Sequence, residues 1–292
     1  MNRCLAFICA ILCASLSVAS ACTAAQSDAI AFTLRQQPGD STRLQTSFSS
    51  DEDSRRGDSS WSTGFPPSQL IGLDVSGFRA GGTRPLHFAI VREAGRMDCA
   101  GQGGSSYAAG NCSFTPDAGY GQFLESRGIA SPTRREWFGL MALDVRRDLV
   151  TALATARYPT PSIDNLMALT AVGVTPSYVS EMNRLGYRPA KLDSLIEFRA
   201  LDITPAYVAD FARAGYGNLD PDELVQLKAL NVTPAYVTAF ERMGYRHLPV
   251  SKLVQLKALD ITPEFVRSVE PRGSEMPPVD ELVQARIFGR RN

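Results

Sequence analysis

The stretch Asp222-Glu-Leu-Val-Gln-Leu-Lys-Ala-Leu-Asn-Val-Thr-Pro-Ala-Tyr-Val-Thr-Ala-Phe-Glu-Arg-Met-Gly-Tyr245 decides how this chain is read. Thr175-Pro176, Thr204-Pro205, Thr233-Pro234 and Thr262-Pro263 stand 29 residues apart, and Tyr187, Tyr216 and Tyr245 keep the same step. Self-similarity at a fixed period in this range marks a stacked-repeat architecture. Asp222 is a capping type, as are Asp164, Asp193, Ser251 and Asp280 one or more steps away, so a first helix is expected to be capped there. Leu224, Leu227 and Leu230 form its apolar stripe. Asn231, equivalent to Gly173, Asp202 and Asp260, tolerates a left-handed backbone and ends it. Thr233 then caps a second helix, with Pro234 at its first position, where a missing N–H costs nothing. Tyr236, Val237, Phe240 and Met243 face inward, and Gly244-Tyr245 supplies the stop. Helices this short are marginal alone, so the units must stack, which predicts an α-solenoid.

The frame extends in both directions. Tyr158, Asp144 and Val145 fall on the period, so Glu136 to Leu143 and Arg147 to Ala156 read as a degenerate first unit. Asp117 to Arg127 reads as a lone leading helix and Asp280 to Phe288 as a lone closing one, around five units in all. Pro271 and Met276-Pro-Pro278 break the chain before the last.

Upstream the signals change. Arg3 is followed by an apolar run from Leu5 to Val18 and by Ala19-Ser20-Ala21, the pattern of a secretory signal peptide over 1–21. Residues 22–67 are rich in Ser, Asp, Arg, Gln and Gly and read as low-complexity and partly disordered, with Ala31–Arg35 and Arg43–Phe48 as two candidate strands. Residues 68–116 read as a β region, with strands at Leu86–Val91, Arg96–Ala100 and Asn111–Thr115. The Gly-rich segment between Cys99 and Cys112 reads as a hairpin tip turning at Ser105-Ser106, which would set the two cysteines opposite each other as a disulfide. Residues 117–288 are the solenoid and 289–292 a tail. The fold class is therefore α+β: a small N-terminal antiparallel β region followed by an α-solenoid of short helix pairs.

Of six cysteines, three leave with the signal. Beyond the Cys99–Cys112 pair only Cys22 remains, directly after Val18-Ala19-Ser20-Ala21. That segment resembles a bacterial lipobox with Ala19 where Leu is usual, and two readings stay open: lipidation of Cys22, or ordinary cleavage with a spare thiol. The expected location is exported, periplasmic or envelope-associated, with membrane attachment only through Cys22.

Chemistry is sparse. His87 and His247 share no metal-ligand spacing with other residues, no Gly-x-Ser-x-Gly elbow occurs, and no metal or cofactor is expected. Thirty Lys and Arg balance thirty Asp and Glu, which argues against binding a phosphate backbone. Two basic ladders recur: Arg199, Lys228, Lys257 and Arg286 in the first helices, and Arg184, Arg213 and Arg242 in the second. Either they form a stripe for an acidic partner, or they complement helix C-termini.

The repeat text Leu227-Lys-Ala-Leu-Asn-Val-Thr-Pro-Ala-Tyr-Val237, followed by Met243-Gly-Tyr245, is similar to tandem helical repeats of exported bacterial proteins of unknown function. It also resembles repeats appended to the extracytoplasmic part of sensor metallopeptidases of the antibiotic-sensing kind. Arg92-Glu-Ala-Gly95, Cys99-Ala-Gly101 and Cys112-Ser-Phe-Thr-Pro116 resemble the β segment that precedes such repeats. The resemblance spans Leu86 to Val269 and implies architecture. It implies no peptidase activity, because the chain has no His-Glu-x-x-His and no membrane spans. The expectation is a non-catalytic module binding a protein or peptide partner. The alternatives are a sensor with a ligand-binding β head and, behind it, an enzyme of unrecognised type.

Overall fold

The computed structural model describes residues 30–37, 39–50, 59–187, 191–269 and 276–289. The signal segment 1–21, Cys22, most of the polar run Ser49–Gly57, Pro271 and residues 290–292 of the tail lie outside the described residues. The fold is α+β, a six-stranded antiparallel sheet followed by a long helical series.

The strands are β1 (Ile30–Gln36), β2 (Leu44–Ser50), β3 (Ser59–Phe65), β4 (Arg84–Arg92), β5 (Gly95–Gly104) and β6 (Tyr107–Pro116), in the order β3-β2-β1-β6-β5-β4. Chain order and sheet order match around a ring, so this is an up-and-down meander opened between β3 and β4. The sheet curls strongly. Three strand spacings, roughly 14 Å if flat, separate β1 from β4, yet the rings of Phe32 and Phe88 meet edge to face at 5.1 Å. Across the opening, the Arg92 guanidinium of β4 lies 5.5 Å from the Trp61 ring and 5.3 Å from the Phe65 ring of β3. Ile71 exchanges both backbone hydrogen bonds with Ala89 at 2.8 Å, partly covering the free edge of β4. Alternation sends Phe32, Leu34, Leu44, Phe48, Ile90 and Met97 inward, where they fill the interior with Phe78 of α1 (Val75–Arg79).

Two expectations are corrected here. Residues 22–67 contain a third strand, β3, beside the two foreseen. The segment between the cysteines is strand almost to its tip: β5 and β6 run on to Ser105-Ser106, both at positive φ, the form of a tight two-residue hairpin turn. Its glycines serve close backbone approach. A Cβ on Gly101 would sit 2.2 Å from the Ala109 carbonyl oxygen, and one on Gly110 equally close to that of Ala100. Cys99 and Cys112 are paired across the ladder and form the disulfide.

The helices are α2 (Ala118–Ser126), α3 (Arg134–Leu143), α4 (Arg147–Thr155), α5 (Ile163–Ala171), α6 (Pro176–Arg184), α7 (Leu192–Ala200), α8 (Pro205–Arg213), α9 (Pro221–Ala229), α10 (Pro234–Arg242), α11 (Val250–Ala258), α12 (Pro263–Val269) and α13 (Val279–Phe288). From α3 to α12 they form five pairs among the described residues. First helices pack on first helices (α3 on α5, α5 on α7, α7 on α9, α9 on α11, α11 on α13), and second on second (α4 on α6, α6 on α8), giving two layers. Every joint inside a pair has a left-handed residue, Asp144, Gly173, Asp202, Asn231 or Asp260. The next residue is apolar and buried, and its N–H reaches back five positions, as Val232 does to Leu227 at 2.8 Å. Second helices stop the same way at Gly128, Arg157, Gly186, Gly215 and Gly244. Thr175, Thr204, Thr233 and Thr262 cap second helices as expected, each hydroxyl accepting an N–H at 3.1 to 3.2 Å.

First helices begin two residues earlier than the Asp222 series implied. Their caps are Ser162, Lys191, Asp220, Pro249 and Pro278, and the Asp series sits at the second helical position. Pro221 explains the shift: it occupies the first position, where it needs no partner, and Glu223 reaches back to the Asp220 N–H at 2.9 Å. An exposed acid in the first turn still complements the helix dipole.

Candidate functional site

The basic ladder of the first helices is a seam between units. Arg199 donates through Nε to the Gly173 carbonyl at 3.1 Å and lies 5.7 Å from the Tyr178 ring, both in the preceding unit. Lys228 sits 4.8 Å from the Tyr207 ring and 3.7 Å from the Asp202 carboxylate. Lys257 sits 5.0 Å from the Tyr236 ring. Arg286 donates to the Leu259 carbonyl at 2.9 Å, lies 3.5 Å from Asp260 and covers Phe265 at 5.3 Å. Each cation thus lies over the previous unit's aromatic face, and Arg199, Lys228 and Arg286 also engage its helix end. The structure does not gather these four residues into one site.

Tyrosines reinforce the seam. Tyr120, Tyr178, Tyr207 and Tyr236 donate to the carbonyls of Val145, Ile203, Val232 and Ile261, each 25 residues on, at 2.7 to 3.2 Å. In the second series Tyr216 donates to Leu248 at 2.7 Å and Tyr245 to Pro277 at 2.6 Å, while the Tyr187 hydroxyl accepts the Leu219 N–H at 3.1 Å. Burial raises the hydroxyl pKa values of Tyr120, Tyr178, Tyr187, Tyr207, Tyr216 and Tyr236, that of Tyr216 up to about 12.

Thr170 stands where the ladder would have its first cation, and the sheet supplies the missing charge. Arg92 of β4 donates to the Met141 and Ala142 carbonyls at 2.6 and 2.7 Å and approaches Asp144 at 3.8 Å, closing the end of α3. Burial lowers its pKa and Asp144 partly restores it.

With this ladder engaged, a further surface to consider is the outer face of the first helices. It begins in an open cleft of about 730 Å³ between β3 and the α3–α5 pair, walled by Trp61, Phe138 and Met167 and rimmed by Arg135, Glu136 and Asp164. Trp61 is fixed by stacking on Phe48 at 5.0 Å. A Cβ on Gly139 would lie 2.4 Å from the Met167 sulfur, so a larger residue there would displace that side chain. Glu136 is already committed, its Oε2 accepting the Thr133 N–H and hydroxyl at 2.7 Å. The lining holds neither His nor Cys. What the cleft offers is apolar and aromatic surface with charge at its margin, which suits binding. From it a half-buried apolar row continues over Ile196, Val225 and Val254 at the repeat step. The leucine stripe drew attention to Leu224 and Leu227, which are buried, and to Leu230, which is exposed at the helix end; this neighbouring row, equally periodic, was the available signal and was missed.

A second depression, about 470 Å³, lies on the sheet's outer face, lined by His87, Arg96, Asp98, Asn111 and Ser113 among others. Arg96 and Asp98 are paired with each other at 2.7 Å. His247 stands in a turn at positive φ beside Tyr216. Among the described residues no three His, Cys, Asp or Glu side chains are placed to hold a metal, and no helix is long and apolar enough to cross a membrane. No family model, curated protein or solved structure matches the chain.

Proposed function

We propose that the protein is a non-catalytic module of the bacterial cell envelope that binds a protein or peptide along the outer face of its first helices. One observation carries this reading: the Trp61–Phe138–Met167 cleft opens into an apolar row repeated from unit to unit. Repeat stacks use such continuous faces for recognition. Export, periplasmic residence and an anchor at Cys22 belong to the same proposal, and the Cys99–Cys112 disulfide is compatible with an oxidising compartment. The test is crosslinking capture from envelope extract with the wild-type protein and an Ile196→Gln/Val225→Gln variant shown to be folded by circular dichroism. A partner held by the first and lost by the second supports the reading. A partner held equally by both, or none, overturns it.

The sensor reading, with the β region as ligand-binding head, draws on the depression around His87 and Asn111. Large side chains fill the inner face of the curled sheet, which leaves that outer face as the place for a ligand.

A further inference from the structure

The binding reading above is the premise of this inference, which concerns the chemistry of the partner. Beside the apolar row runs a second row. Asp164, Asp193 and Asp222, one per unit, are exposed and have neither ion pair nor hydrogen bond among the described residues. Each lies three positions before its apolar neighbour, Met167, Ile196 or Val225, and so on the same helix face. The farther Asp280 is engaged by Lys252, and Ser251 interrupts the row, so the open carboxylates are those nearest the cleft. An acid in a helix's first turn complements the dipole; that role does not call for an aligned apolar row leading into an aromatic cleft.

Spacing narrows the choice. First helices packed side by side are about 8–10 Å apart, so the carboxylates recur at about that interval. A polyproline II chain rises about 3.1 Å per residue with three residues per turn. It therefore presents every third side chain on one face, about 9 Å apart. We propose that the partner is a basic, extended polyproline II segment with Lys or Arg at every third position. Its cations lie over Asp164, Asp193 and Asp222, and its apolar residues lie on Met167, Ile196 and Val225, with one end seated against Trp61 and Phe138.

The experiment is fluorescence anisotropy with fluorescein-labelled peptides on the full chain. A four-repeat Lys-Pro-Pro peptide is compared with its Glu-Pro-Pro counterpart and with a peptide of the same composition whose lysines are clustered. The expected result is preferential binding of the first, weakened by salt and by about tenfold in Asp164→Asn/Asp193→Asn/Asp222→Asn, whose exposed, near-isosteric changes leave the fold in place. Equal binding of the acidic or clustered peptide, no binding, or indifference to the Asn variant overturns the inference. If a captured envelope partner is still lost by Ile196→Gln/Val225→Gln, the inference falls alone; if that capture survives, the binding-face reading falls with it.

Discussion

The Oε2 of Glu93 accepts the backbone N–H of Arg147 at 2.8 Å, so the first turn of α4 is capped by a side chain 54 positions earlier in the chain. In the following units a Thr does this locally; here the local residue is Arg146, which cannot accept a hydrogen bond. Arg92, its neighbour at the β4–β5 turn, closes the end of α3. One dipeptide thus joins sheet to solenoid by serving both helix ends of the first pair. Glu93→Ala should cost about 1–2 kcal/mol, in the range of a lost N-cap, and Glu93→Gln, which keeps an acceptor, distinctly less. Urea unfolding of the two variants beside wild type checks the order; equal midpoints for all three would show that the clamp is idle.

Charge reversal in the seam should act first on stability. Arg199→Glu replaces a donor to the Gly173 carbonyl with a carboxylate at a helix C-terminus and removes the cation over Tyr178. A loss of about 1–3 kcal/mol is expected, whereas Arg242→Glu, on an exposed second-helix position, should cost well under half of that. Thermal melts compare them directly, and a larger loss for Arg242→Glu would contradict the seam.

Alkaline pH should unfold the stack. Burial raises the hydroxyl pKa values of Tyr120, Tyr178, Tyr187, Tyr207, Tyr216 and Tyr236, while the unfolded chain titrates near 10. Above that pH the folded state holds more protons than the unfolded, so the stability they contribute is complete below about pH 10. It falls as pH rises toward and through the folded values, about 12 for Tyr216. The melting temperature should be flat from pH 7 to 9 and drop steeply beyond 10, with phenolate absorbance appearing together with loss of helicity. Tyr178→Phe should make the drop shallower.

Arg157 is the non-glycine at the second-helix stop, with φ of 59°, where later units place Gly186, Gly215 and Gly244. Arg157→Gly should stabilise by roughly 0.5–1 kcal/mol by relieving the left-handed strain, and Gly215→Ala should destabilise by a similar amount. Opposite shifts in melting temperature are the expected pair.

The solenoid was legible because each of its joints is local. Thr-Pro starts, left-handed stops and leucine spacing are determined within a few residues and then repeated. The sheet was less so. In β3, Trp61, Thr63 and Phe65 alternate, but the intervening serines and Gly64 disguised the strand within a Ser-rich region. In β5 and β6 the glycines suggested a loop, when their purpose is contact between backbones in a tightly curled sheet. The first-helix caps were misplaced because Asp222 and Asp220 are both capping types, and Pro221 decides between them. The basic ladder was visible as a periodicity, but its role depends on Tyr178, Tyr207, Tyr236 and Phe265 lying one unit back, a relation between stacked layers. The partial exposure of Met167, Ile196 and Val225 likewise follows from stacking and has no signature within one unit.

The seam also makes the units interchangeable. In the middle of the stack, the units α7–α8 and α9–α10 each take from the successor a cation over the aromatic ring and a carbonyl for the tyrosine, and each offers the same to its predecessor. Excising 29 residues from Leu195 through Glu223 would set Lys228 over Tyr178 and bring the Val232 carbonyl to its hydroxyl, restoring at the splice the chemistry that Tyr207 now has. The length of the stack is therefore a quantity that duplication or deletion can change in whole steps, lengthening or shortening the outer face without redesigning either end.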